Sequence, residues 1–391
     1  MRILQVISAV AEVYGGPAIG SVALNKALRD DGVDATIFTT RLNMDLPELT
    51  EADVQALREG GRASISSFAP SRPRRLQNSW KLAAALWNES KVADLVHIHG
   101  QYLLPHVFAY LSARAHGVPF GIQPHGGLEP YQRAQSRLQK RIYSVLIGNR
   151  ILRDASYIQF SSQSEADAAS DVVRPDQARV APLGASLPFP AEVRWVQERI
   201  GTRGREDVFL FLGRLARKKN PDVLIDAWAA RRDRTDSSLL IIAGPDGEWT
   251  QEELAAKAKA LGVESSVVFT GALNGPQKAW IFSKAGTFVL PSDNENFGIA
   301  LVEAMLSGCH VIASKAVAAA QFLTEANCGV ILDSIAIEDL SAELSAAEGL
   351  AERTRQSGER AQEFAQARLS WSVLARSIAA PAHPSERLTG R

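Results

Sequence analysis

Asp293–Met305, DNENFGIALVEAM, is the stretch on which the fold reading turns. It follows Thr287–Pro291, whose β-branched and apolar residues read as a buried strand ending at a proline. Beyond Gly298, the spacing of Leu301, Ala304 and Met305 predicts a helix, starting near Asn296 or Phe297. A strand, a glycine turn and a helix form the repeating unit of an α/β sheet. Gly298 lets a ligand approach the backbone closely. The amides of the first helical turn, at the positive end of the dipole, suit an anion. Glu295 lies just before the helix, and Glu303 lies five residues past Gly298, about 7.5 Å along the axis.

The same grammar runs through the chain. In the first half, strands are expected at Arg2–Ser8, Asp34–Thr40, Asp94–His99, Pro119–Gln123, Tyr157–Ser161 and Arg179–Pro182, with a helix over Ala18–Asp31 that Gly32 stops. In the second half they are expected at Asp207–Leu212, Ser238–Ala243, Val267–Thr270, Thr287–Pro291, Val311–Ser314 and Gly329–Leu332, with a long helical stretch from Glu338 to Arg376. Alternating strands and helices predict mostly parallel sheets with helices on both faces. At 391 residues, two domains are expected. The Pro- and Gly-containing segment from 184 to 207 holds the boundary, giving domains 1–187 and 188–375 and a polar tail over 376–391 that frays from Pro381. Two doubly wound domains predict a ligand at the carboxyl ends of the strands, in the cleft between them.

Phe211–Leu224, FLGRLARKKNPDVL, supplies the complementary chemistry. A strand ends at Gly213, Arg214 and Lys219 occupy the loop, and a helix follows that Asn220 caps and Pro221 opens. Cations at a sheet mouth beside a helix N-terminus suit phosphate, although a solvated basic loop reads the same way in isolation. A carboxylate does not bind phosphate but accepts hydrogen bonds from sugar hydroxyls. Glu295, the loop cations and Glu303 together fit a ligand built as sugar, phosphate and sugar, a nucleotide sugar. The plainer alternative is an amphipathic helix with two incidental glutamates.

These motifs carry a resemblance over nearly the whole chain, from residue 1 to about 375. Gly15-Gly16-Pro17, Pro124-His125-Gly126, Gly213-Arg214 with Lys219, Ala243-Gly244, Phe269-Thr270-Gly271, and Glu295-Asn296-Phe297-Gly298 with Glu303 resemble, in order and spacing, glycosyltransferase family 4. The resemblance implies the GT-B fold of two Rossmann-like domains. It also implies a retaining transfer of a hexose from a nucleoside-diphosphate sugar, GDP- or UDP-linked, to a glycan or lipid-linked acceptor. It assigns the donor diphosphate to Arg214 and Lys219 in place of a metal, the ribose to Glu303, and the donor sugar to Glu295 with the backbone of Asn296, Phe297 and Gly298. Gly15 and Gly16 border the phosphates, His125 lies near the reacting sugar, and the base meets backbone around Gly244 and Ala272. No metal or other cofactor is implied. Phe364–Trp371 resembles the family's closing segment, whose last helix returns to the first domain. Surface polysaccharide or glycolipid assembly is the expected setting.

The chain departs from the pattern at four places. Asn220 replaces a common glycine, His310 a common proline, and Pro182-Leu183-Gly184 the usual Pro-Asn-Gly. Lys315–Leu323, KAVAAAQFL, stands where a Pro-Glu pair is common, which puts donor contacts there in doubt. Rival readings are a sugar-nucleotide epimerase or a phosphorylase of the same fold, and a non-catalytic nucleotide-sugar binder. A dehydrogenase is disfavoured because no G-x-G-x-x-G follows the first strand.

Composition narrows the rest. Lysine plus arginine and aspartate plus glutamate are equal, 43 each, so no bulk nucleic-acid binding is expected. Two cysteines, Cys309 and Cys328, argue against a disulfide framework and fit a reducing, cytoplasmic setting. Gln5 and Ser8 interrupt the N-terminal apolar run, which reads as a first strand and not a signal peptide. His97, His99, His106 and His125 lie near one another in sequence without a carboxylate or Cys at ligand spacing, so a zinc site is disfavoured. Gln132–Arg153 carries Arg133, Arg137, Lys140, Arg141, Arg150 and Arg153 and no acid, with Ile142, Val145, Leu146 and Ile151 as an apolar side. It reads equally as a solvated helix face or, with Arg72, Arg74 and Arg75, as a peripheral contact with anionic lipid at the inner face of the membrane.

Overall fold

The structure is a computed structural model that describes all residues except 45, 60–62, 135–136, 232–236, 350 and 381–391. The tail expected from Pro381 lies outside the described residues. The chain forms two compact units. One comprises Met1–Gly184 and resumes at Trp371, and the other is Ala185–Ser370.

The first unit holds a 7-stranded sheet in the order β3-β2-β1-β4-β5-β6-β7. The strands are β1 Arg2–Ala9, β2 Asp34–Thr40, β3 Ile65–Phe68, β4 Leu95–His99, β5 Phe120–Gln123, β6 Tyr157–Phe160 and β7 Ala178–Val180. Every pairing is parallel, and Ile3↔Leu95 through Ile7↔His99 set the central register. Sheets of this kind are covered on both faces, which is why β1 reads as an almost unbroken apolar run. The sequence reading missed β3. It is an edge strand of four residues, ISSF, whose two serines leave little apolar alternation to see.

The second unit holds a 6-stranded sheet in the order β10-β9-β8-β11-β12-β13, also parallel. These strands are β8 Val208–Leu212, β9 Leu239–Ala243, β10 Val267–Gly271, β11 Thr287–Leu290, β12 His310–Ser314 and β13 Val330–Leu332. In both sheets the winding direction reverses, at β1/β4 in the first and β8/β11 in the second. Such switch points open a crevice at the carboxyl ends of the strands. The connection after Gly184 also contains an unanticipated short helix, Arg194–Ile200, which buries Val196 and Ile200.

The stretch expected to be helical from Glu338 is three helices, Ile337–Gly349, Ala351–Arg368 and Trp371–Ala379. The break at Leu369 and Ser370 has a cause. The Ala185 N–H donates to the Leu369 carbonyl at 3.0 Å, and Ser370 bridges Ala185, so the backbone there leaves the helical ladder. The last helix packs on Gly16–Asp30 in the first unit. Gly20 makes room for it, since a Cβ there would stand 3.2 Å from the Trp371 ring.

Candidate active site

In the second unit the loops leaving β8, β9 and β10 are knitted by backbone bonds. The Gly213 N–H donates to Ala243 O, Leu215 N–H to Pro245 O and Gly244 N–H to Gly271 O, each at 2.9 Å. Gly244 has φ +145°, and a Cβ on it would lie 2.0 Å from the Gly213 carbonyl oxygen, so only glycine fits. The stem of Lys219 lies over Gly213, 3.1 Å from where a Cβ would be. Arg214 is exposed beside it, and Ala272 is exposed just past β10.

The β8 and β11 loops meet across the switch point. The Lys219 ammonium donates to Glu295 Oε2 at 2.6 Å, with the two side chains 15% and 21% exposed. The Asp293 N–H donates to Lys218 O at 2.7 Å. Asn220 does not cap the helix Pro221–Ala230 as expected. It adopts φ 53° and donates from Nδ2 to Pro291 O at 2.9 Å. A capping side chain needs extended backbone, and asparagine is among the few non-glycine residues that accept the left-handed region. Asparagine therefore stands in for glycine by conformation.

Glu295–Phe297 is held from the other side by the Lys315–Leu323 stretch. The Glu295 N–H donates to Ala316 O (3.1 Å), Ala318 N–H to Glu295 O (3.2 Å) and Ala319 N–H to Phe297 O (2.8 Å). These pairings explain why the helix begins later than expected, at Ile299 with Gly298 as its N-cap. Gly298 has φ +93°, and a Cβ would meet Val317 at 2.7 Å. Phe297 is buried against Phe322, with ring centroids 6.2 Å apart, while Asn296 stays partly exposed. Glu303 is only 5% exposed. It accepts a 2.5 Å bond from the Lys278 ammonium, on the helix Gly275–Lys284. Burial pushes the Glu303 carboxyl above its usual range, and the Lys278 charge opposes that. Lys278 is a residue that sequence reasoning missed.

In the first unit, Gly15 is the N-cap of Gly16–Asp30 with φ 75°, directly after the β1 strand and a single helical turn. His125 follows β5 at φ 52°, with Gly126 at φ 76°. Buried Glu165 straps this turn. It accepts from the Gly126 N–H (2.7 Å) with one oxygen and from the Ser161 N–H and hydroxyl (2.8 and 2.7 Å) with the other. A cavity of about 250 Å³ opens here, lined by Tyr14, Gln101, His106 and His125 among others. Burial lowers His97 and His106 to about 4 and His125 to about 3. Among the described residues, no group of three or more His, Cys, Asp or Glu is disposed to hold a metal ion. Cys309 and Cys328 are free and buried, and burial pushes both thiols up to about 11.

The basic stretch is helical over Pro130–Ala134, Arg137–Tyr143 and Asn149–Asp154, with a π-helical turn at Ser144–Gly148. Of its apolar side only Ile151 is buried. Leu138, Ile142, Val145 and Leu146 are between 51% and 76% exposed. Some of its cations are engaged: Arg133 forms a two-pronged pair with Asp171, and Lys140 lies over the Tyr102 ring. No described helix is long and apolar enough to cross a membrane.

Known proteins place this arrangement. Residues 15–184 match the glycosyl transferase 4-like domain, and residues 195–364 match glycosyl transferases group 1. The chain is 27% identical over 317 residues to the D-inositol 3-phosphate glycosyltransferase of Actinosynnema mirum, covering 77% of this chain and 76% of that one. It is 24% identical over 345 residues to the GDP-mannose:cellobiosyl-diphosphopolyprenol alpha-mannosyltransferase of Xanthomonas oryzae pv. oryzae, covering 86% and 85%. The fold is similar to that of Anabaena HepE, solved with UDP and glucose, at TM-score 0.74 and 21% identity, covering 97% and 98%. It is also similar to WaaG, a glycosyltransferase involved in lipopolysaccharide biosynthesis, at TM-score 0.65 and 17% identity, covering 97% and 100%. With a 4-like first half and a group 1 second half, each on its own parallel sheet, the chain is a glycosyltransferase of the GT-B type.

Proposed function

We propose that the chain is a retaining, metal-independent hexosyltransferase. It takes a hexose from a GDP- or UDP-linked donor and passes it to a glycan or lipid-linked acceptor in surface polysaccharide or glycolipid assembly. The observation that carries this reading is the meeting of Lys219 and Glu295 at the β8/β11 switch point, 2.6 Å apart. The cation faces the place where a diphosphate would leave, and the carboxylate faces the hydroxyls of a sugar. A diphosphate must share or replace Glu295 as the partner of Lys219, which brings donor binding and sugar contact under one pair of residues. Buried Glu303, paired with Lys278, is suited to the ribose hydroxyls. Relatives named for D-inositol 3-phosphate and for GDP-mannose, and a structural neighbour solved with UDP, support a nucleotide-sugar donor without choosing the base.

Thermal stabilisation by UDP, GDP and ADP in EDTA, with NAD as control, tests the donor site. A ligand at about 100 times its dissociation constant adds about 2.7 kcal/mol. One diphosphate is expected to stabilise clearly. No shift from any of them removes the metal-free reading. Glu303→Ala is expected to weaken nucleotide binding about 10- to 100-fold, the worth of hydrogen bonds to a charged group. Glu295→Ala should abolish transfer with only a modest loss of nucleotide binding. Full activity in both variants would end the assignment.

The exposed ridge of Leu138, Ile142, Val145 and Leu146, flanked by Arg141, Arg150 and Arg153, supports work at an anionic lipid surface. Apolar side chains that enter the interface beside cations facing anionic headgroups are the signature of such binding. The protein is expected to pellet with phosphatidylserine vesicles in low salt, and Leu146→Glu with Val145→Glu to stay in the supernatant. Equal pelleting of both proteins, or none of either, rules the surface out.

A further inference from the structure

A second cavity of the first unit, of about 730 Å³, is built from the basic stretch and the segments packed against it. That volume suits a small organic molecule. Leu128, Leu152, Val172 and the Tyr143 ring supply apolar lining, and Leu128 is only 2% exposed. Gln101, Arg133, Lys140 and Arg141 supply hydrogen-bond donors. Among the described lining residues there is no aspartate or glutamate. Glycine shapes one wall. A Cβ on Gly148 would stand 2.7 Å from the Tyr143 ring, so only glycine lets the π-helical turn lie against that ring.

The donors have capacity to spare. The Arg133 Nη atoms donate to Asp171 at 2.9 and 2.8 Å, while its Nε is buried with no hydrogen-bond partner among the described residues. Gln101 Nε2 is buried in the same state. Buried donors are nearly always paired, so the lining lacks partners that a guest would supply. The Lys140 ammonium donates to the Gln132 carbonyl and lies 5.0 Å from the Tyr102 ring centre, which uses one of its three N–H groups for a hydrogen bond. Burial lowers the Lys140 ammonium from its ordinary value, as for a cation partly withdrawn from water. Asp171 balances Arg133, but no described carboxylate pairs with Lys140 or Arg141. Two uncompensated cations therefore stand beside an apolar wall. An apolar guest alone would leave them desolvated and unpaired, and a small anion alone would leave the apolar lining wet. An amphiphile with an anionic head satisfies both.

The helix that carries the cations also leads out of the cavity. Lys140, Tyr143 and Ser144 line it at i, i+3 and i+4 spacing, one face of the helix. Leu138, Ile142, Val145 and Leu146 follow i, i+4, i+7 and i+8 and form the exposed ridge. Leu138 belongs to both the lining and the ridge, so the two adjoin. We propose that this cavity takes the phosphate monoester head of a single lipid, with Lys140 and Arg141 on its oxygens and its chain leaving past Leu138 along the ridge. A monoester carries a charge of about −1.5 to −2 near pH 7, which matches two free cations better than the single charge of a diester. The inference rests on the proposed membrane surface only for where the lipid resides. It turns a general attraction to anionic surfaces into recognition of one headgroup.

Calorimetric titration of the whole chain with decyl phosphate, below its micelle concentration, tests the cavity without a bilayer. Decyl phosphate is expected to bind about 10- to 100-fold more tightly than decanol, the worth of hydrogen bonds to a charged group. It should also bind more tightly than inorganic phosphate, which lacks the chain, and than dihexanoyl phosphatidylglycerol, a diester. Lys140→Met with Arg141→Gln should remove the advantage of decyl phosphate over decanol and leave decanol binding unchanged. Decyl phosphate no tighter than decanol in the wild-type protein overturns the proposal without any variant being made. Inorganic phosphate or the diester binding as tightly as decyl phosphate overturns it too, as does an undiminished affinity for decyl phosphate in the double variant. A protein that binds decyl phosphate but does not pellet with vesicles supports the cavity and counts against the membrane surface alone.

Discussion

Lys219→Ala is expected to lower the transfer rate about 10²- to 10³-fold, the loss seen when a preorganised group that stabilises developing charge is removed. The size follows from where the ammonium sits. Its side chain is 15% exposed, its stem lies over Gly213, and its head is fixed 2.6 Å from Glu295. A cation held in place and mostly out of water needs no reorganisation when negative charge builds on a departing diphosphate, and it is screened less than an exposed one. Arg214 is exposed in the same loop, so Arg214→Ala should cost less. Single-turnover kinetics at saturating donor separate the rate from binding. Lys219→Met keeps the stem over Gly213 and removes only the charge. It should match the alanine variant in rate while melting closer to wild type. A rate within a factor of three of wild type in Lys219→Met would mean that the charge is not what the loop contributes.

The second large effect is acid lability concentrated in the first unit. Burial, the leading cause in each case, lowers His97, His106 and His310 to about 4, His125 to about 3 and His99 well below its usual value. In the unfolded chain these rings titrate near 6.5. Below that pH the unfolded state binds more protons than the folded one, so stability is complete above about pH 6.5 and falls as pH drops toward 4. Each such ring removes about 1.4 kcal/mol per pH unit over that window. His97, His99, His106 and His125 all shift in the same direction, so their losses fall in the same window. His97, His99, His106 and His125 lie in the first unit, and His310 lies in the second, bonded to Ser357 at 2.8 Å. Hydrogen exchange at pH 7 and pH 5 should therefore show protection collapsing in β1, β4 and β5 before it does in β8 and β11. Equal protection at both pH values would show that the rings are not buried neutral.

Much of this was legible in the sequence because parallel strands buried on both faces announce themselves as apolar runs, and β1, β2, β4 and β8 to β13 appear within a residue or two of their expected limits. The motifs at the strand ends stood out because glycine turns and isolated charges interrupt the apolar pattern, and the fold brings two of the charges, Lys219 and Glu295, together. What escaped depends on contacts between distant segments. Lys278 is an ordinary lysine on a helix until the fold brings it to Glu303, 25 residues away. Asn220 was read as a cap because asparagine does both jobs, and only its φ of 53° decides between them. Gln5 was noticed merely as an interruption of an apolar run. A buried glutamine in a central strand needs partners for both ends of its amide, and that requirement was the visible trace of its bonds to Asn25 and His99.

The chain passes between its two units twice, after Gly184 and again after Ser370. The second unit is therefore an insertion within the first, and the first unit is completed only when Trp371 reaches Gly20. Anyone recombining this protein with a relative must treat residues 185–370 as a cassette with two seams. A hybrid joined at one seam would inherit a foreign closing helix against its own Gly20, where the clearance is 3.2 Å, and the mismatch would surface as poor folding of the half that was never exchanged.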